Sequence, residues 1–89
     1  MNTYLVSYDL INPGQNYHKV IALLKTYTGW AKPLESTWLI KSPATAAQVR
    51  DHIMTVLDRN DKLLVITATA PAAWSNLDPQ VTKWIQDEL

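Results

Sequence analysis

Apolar and polar positions along the 89-residue chain follow two alternating periods, and the changes of period mark the elements. Tyr4 to Leu10 is rich in β-formers and runs into Asn12, Pro13 and Gly14, which predicts a first strand ending in a turn. From Gln15 to Thr28 the apolar residues Tyr17, Val20, Ile21, Leu24 and Tyr27 recur at three- and four-residue steps while Lys19 and Lys25 fall off the stripe. That spacing predicts a helix packed on one side, with Gly29 as its C-terminal stop. Trp30 to Lys41 reads as two strands. Pro33 confines the first to an edge or a bulge, and Thr37 to Lys41 is the stronger. Ser42 with Pro43 offers one helix start and Thr45 with Gln48 another, the second at capping-box spacing. The helix that follows puts Ala46, Val49, Ile53, Val56 and Leu57 on one face. After a polar break from Asp58 to Lys62, the unbroken apolar and β-branched run Leu63 to Thr69 predicts a central strand buried on both faces. Pro71 stops it, and Asp78 with Pro79 opens a last helix through Leu89 whose stripe is Val81, Trp84, Ile85 and Leu89.

The order strand, helix, strand, strand, helix, strand, helix predicts an α+β fold, a ferredoxin-like βαββαβ sandwich with an extra C-terminal helix. Two helices are expected on one face of a four-stranded antiparallel sheet, in a single domain over residues 1–89. The length excludes a two-domain enzyme. Hydrophobic residues make up 47% of the chain and charged ones 18%, below the usual charged share of about 25%. A surface short of solvating groups favours a partner, and the C-terminal segment with its Trp84 stripe is the expected seat of a homodimer. Eight Lys plus Arg balance eight Asp plus Glu, so no overall field draws in a polyanion. With no Cys there is no disulfide framework, no thiolate zinc site and no cysteine nucleophile, and a cytoplasmic location is expected. The opening MNTYLVSYDL lacks a basic n-region, and no apolar run is long enough for a bilayer, so no membrane association is expected.

Few residues carry candidate chemistry. His18 and His52 fall in predicted helices without metal-ligand spacing and read as structural or solvent-facing. Gly14 and Gly29 stand where a turn or a helix stop needs them, which leaves no phosphate-cradling loop. Asp9 is the informative acid, placed at the end of a predicted central strand. One reading makes it a capping group for the Asn12-Pro13-Gly14 turn. The other makes it a magnesium ligand, completed by a second Asp9 across a dimer axis, since magnesium often takes one or two protein carboxylates with waters and phosphates. Four Trp and four Tyr with no Phe suggest rings whose polar atoms matter. Trp38 and Trp84 read as packing residues, Trp30 and Trp74 as more exposed. Ser36 to Lys41 lacks the paired aromatics among basic residues that an RNA-recognition sheet carries.

The strand Tyr4-Leu5-Val6-Ser7-Tyr8-Asp9-Leu10, the strand Glu35-Ser36-Thr37-Trp38-Leu39-Ile40 and the late strand from Asp61 to Ile66 together resemble the CRISPR-associated Cas-two family. These are small ferredoxin-like dimers described as metal-dependent endonucleases and as partners of the spacer integrase. The likeness spans nearly the whole chain. It implies for Asp9, which follows an aromatic residue at the end of strand one, the role of catalytic and metal-binding acid, with magnesium as cofactor and nucleic acid as substrate. The family usually follows this acid with several Arg and Lys along helix one, whereas Leu10 to Val20 offers only Lys19. The YLVSYDL start and STWLI strand look closer to small bacterial and phage-borne Cas-two-like proteins, from whose motif no activity follows. Two functions are therefore expected in competition. One is a Cas-two-like endonuclease or nucleic-acid-binding subunit. The other is a non-catalytic dimeric adaptor of a phage or bacterial defence-related system that takes a protein partner.

Overall fold

The computed structural model describes residues 1–11 and 17–89. The expected Asn12-Pro13-Gly14 turn and the start of helix one at Gln15 lie outside the described residues. The elements are β1 (Asn2–Asp9), α1 (Tyr17–Leu24), β2 (Gly29–Leu34), β3 (Thr37–Ser42), α2 (Ala46–Met54), β4 (Lys62–Thr67) and α3 (Pro79–Glu88). The four strands form one sheet in the order β2-β3-β1-β4, with every neighbouring pair antiparallel. The connection β1-α1-β2 therefore skips over β3, and β3-α2-β4 skips over β1. The class is α+β.

Local signals set most of the boundaries. Thr45 caps α2: its side chain accepts from the Gln48 N–H while the Gln48 side chain accepts from the Thr45 N–H, so two otherwise orphaned donors are satisfied. The alternative start is not used, because Ser42 ends β3 and its hydroxyl accepts from the Ala44 N–H. Asp78 caps α3 by accepting from the Gln80 N–H, with Pro79 in the first turn. Helix α1 is shorter than its periodicity predicts. It ends at Leu24, and Thr26 and Tyr27 close tighter turns onto Leu23 and Leu24. Gly29 is not the helix stop but the first residue of β2, opposite Lys41; a Cβ there would meet the Lys41 side chain at ordinary contact distance, 3.4 Å.

One sheet face carries Tyr4, Val6, Tyr8, Trp38 and Ile40, which close against Val20 and Leu24 of α1 and Val49 and Ile53 of α2 to form the core. Alternation sends Leu5, Ser7, Asp9 and Leu39 to the other face. There α3 lies over the sheet: Ile85 is buried to 7% exposure, and Lys41 meets Glu88 at 2.9 Å. The Trp84 stripe expected to mediate a dimer is thus turned largely toward its own chain. Among the described residues no helix is long and apolar enough to cross a membrane.

The expected central position of the fourth strand is overturned. β4 is an edge strand, and Leu64 and Ile66 are 51% and 46% exposed. Its hydrogen bonding follows from two backbone contacts. The Tyr8 N–H donates to the Ser36 C=O, and the Ala68 N–H donates to the Thr3 C=O. In antiparallel ladders the bonded direction alternates residue by residue. Even-numbered residues of β1 therefore bond β3 and odd-numbered ones bond β4. On β4 the main chain of Lys62, Leu64 and Ile66 faces β1, and that of Leu63, Val65 and Thr67 faces outward.

Candidate functional site

Asp9 closes β1, a strand held on both sides, and its alternation with core-facing Tyr8 puts it on the α3 side of the sheet. It is exposed, lies in register with Lys62 on β4, and has no hydrogen-bond or ion-pair partner among the described residues. It lines an open hollow of about 240 Å³ with Ser7, Tyr8, Lys62, Leu63 and Leu64, and that lining holds no second acid. Among the described residues no three His, Asp or Glu side chains are gathered to share a metal ion.

The surroundings of Asp9 are firmly built. Behind it, Trp38 Nε1 donates to the Tyr8 hydroxyl at 3.1 Å, and Tyr17 packs edge-on to Tyr8 with ring centroids 6.2 Å apart. Burial is the main cause that pushes the Tyr8 hydroxyl above its ordinary pKa, against the Trp38 bond, which lowers it; the nearby charges of Tyr17 and Glu35 add to the rise. Ser7 and Thr37 share a hydroxyl bond of 3.1 Å across the β1–β3 pair. A neighbouring acid, Asp61, is buried, and its two carboxylate oxygens accept from the N–H groups of Ile11 and Asp58, both at 2.8 Å. It ties the end of β1 to the turn before β4. The sequence reads Asp58 to Lys62 as a plain polar break; that one of its acids anchors backbone N–H groups depends on Ile11, 50 residues away, and carries no local signal.

Among the described residues neither histidine is gathered with two further metal-ligating side chains. His18 is exposed on α1, and His52 Nδ1 contacts the Tyr27 hydroxyl at 3.0 Å beside an edge-on ring contact. The rings divide as expected, with Trp38 fully buried and Trp30 and Trp74 partly exposed. Most cations are engaged. Lys41, Arg50 and Lys83 pair with Glu88, Asp51 and Asp87, while Lys25 lies over the Trp30 ring and Lys32 over the Trp38 ring. Lys19, Arg59 and Lys62 are the remaining basic side chains, and they belong to three separate segments. The exposure of Leu64 and Ile66 on an edge strand is a property of strand order, which their apolar run does not reveal. No protein-family model matches the chain, and no solved structure matches it significantly.

Proposed function

We propose that the chain is a ferredoxin-like, Cas-two-like dimeric adaptor that acts by holding a protein partner rather than by cleaving nucleic acid. The strand order supports the ferredoxin-like part: taken from the β4 edge it runs β4-β1-β3-β2, with both helical crossovers skipping one strand. The observation that carries the choice against hydrolysis is the setting of Asp9, a single carboxylate facing Lys62 across the strand pair. One acid opposite a cation is a poor magnesium site, since the Lys62 charge opposes the ion and, among the described residues lining the hollow, no second acid offsets it. Cations already held by acids or rings leave few groups for phosphates. The absence of Cys supports a cytoplasmic setting.

The nuclease reading retains one observation in its favour, that Asp9 is open and, among the described residues, without a partner at the end of a rigid strand. Incubating the chain and Asp9→Ala with single- and double-stranded RNA and DNA, with magnesium or chelator, separates the two. The adaptor reading expects no cleavage and no retention of nucleic acid at low salt. Magnesium-dependent cleavage that Asp9→Ala abolishes would replace it with the nuclease.

A further inference from the structure

The β4 edge is built to receive another strand. Six residues, Lys62–Thr67, run in unbroken register with β1, without proline or bulge, and Lys62 is their only charge. An apolar edge with outward N–H and C=O groups and so little protection is a template for pairing. Both sides of the strand have room. On the core side the small side chains of Ala46 and Ala47 leave a hollow of about 270 Å³ between α2 and Leu63–Val65. On the other side stand the exposed Leu64 and Ile66.

The geometry points to a second copy of this chain as the occupant, its β4 antiparallel to the first, with Val65 opposite Val65 on the twofold axis. This assignment rests on the dimeric reading above and names the surface. Three features select it. The outward backbone groups belong to odd-numbered residues, so a twofold through Val65 matches donors with acceptors at Leu63–Thr67, Val65–Val65 and Thr67–Leu63, giving six hydrogen bonds by the antiparallel pattern. The same register sets Leu64 of one copy directly opposite Ile66 of the other, joining four exposed aliphatic side chains on one face. Val65 and Thr67 of each copy then point toward the other's hollow beside Ala46 and Ala47. The charges permit it: Lys62 falls opposite Ala68 rather than another lysine, Arg50 at the hollow is paired with Asp51, and the chain carries no net charge. Strand rise and spacing put the two Asp9 residues roughly 25 Å apart in this dimer, too far to share an ion.

Sedimentation equilibrium of the wild-type chain and Val65→Pro, with circular dichroism, tests the surface. The Val65 N–H faces outward, so proline removes only an intermolecular bond. The expected result is twice the 10.1 kDa chain mass for the wild type and the single mass for a folded Val65→Pro. If that variant unfolds, Leu64→Lys with Ile66→Lys replaces it, with the same single mass expected. Mild oxidation of Leu64→Cys/Ile66→Cys tests the register. Opposed non-hydrogen-bonded residues lie about 4.5 Å apart at Cα, within disulfide reach, so the double variant links into a covalent dimer and either single variant does not. A wild-type dimer indifferent to these edge substitutions, or single variants that link as readily as the double one, would overturn the edge pairing while leaving a dimer. A monomeric wild type would overturn both the pairing and the dimeric reading.

Discussion

Strand β2 ends one side of the sheet with Pro33, a register break between Ala31 and Leu34, Lys32 drawn over the Trp38 ring, and α3 packed nearby. Strand β4 ends the other with an unbroken register and two outward aliphatics. Both are edge strands of similar length in one small sheet, so the difference does not come from topology. It comes from side chains: β2 has the devices that keep an edge unpaired, and β4 has almost none. Proline, a bulge and a lysine on one edge with an apolar second edge leave a single direction for the proposed pairing, which would then close as a pair rather than grow as a fibre.

The largest expected effect lies in the alternation along β4. The Leu64 N–H faces β1, so Leu64→Pro removes a ladder bond inside the fold. Proline inside a ladder leaves a strand acceptor unpaired and is found only at edges or bulges; in helix interiors the comparable loss is about 3 kcal/mol or more. Chemical unfolding of Leu64→Pro beside Val65→Pro should show the first far less stable and the second, compared as monomer, close to the parent chain. Equal losses would mean that the inward and outward residues are misassigned. Next comes the shielding of the β2 side. Ile85 is the buried anchor of α3, and Ile85→Ala should lose about 2 kcal/mol, the low end for such truncations because the apolar hollow beside it can partly collapse. A loss near zero would show that α3 does not shield this side. The smallest effect belongs to the sheet between the edges. The Tyr8 pKa is raised in the fold, chiefly by burial, so on raising the pH the unfolded chain loses this proton first and stability falls as pH rises past about 10. Tyr8→Phe should flatten that alkaline loss, and an unchanged slope would assign it elsewhere.

What was legible in the sequence was what neighbours decide. Thr45 with Gln48 and Asp78 with Pro79 are contiguous cap signals, and both caps formed where their residues stand. Pro33 identified an edge strand by removing a donor. The reading failed where a distant partner decides. The run from Leu63 to Thr69 has the composition of a strand buried on both faces, yet among the described residues no strand pairs with the outer side of β4, because strand order is fixed by two crossovers and not by the run itself. Tyr27 keeps the helical period of α1, but the chain must turn after Leu24 to start β2 at Gly29. The Trp84 stripe was readable as an apolar face, and its covering by the chain's own sheet was not. At the candidate site, the position of Asp9 on a rigid strand end was readable, while Lys62 opposite it depends on the β1–β4 register.

Hydrogen exchange of the β4 amides, followed residue by residue at high and low protein concentration, tests the unpaired edge as a dimer seam most directly. The inward amides of Leu64 and Ile66 should stay protected throughout. Those of Leu63, Val65 and Thr67 should be protected at high concentration and released on dilution. Rapid exchange of these three amides at every concentration, with Leu64 and Ile66 still slow, would contradict the account.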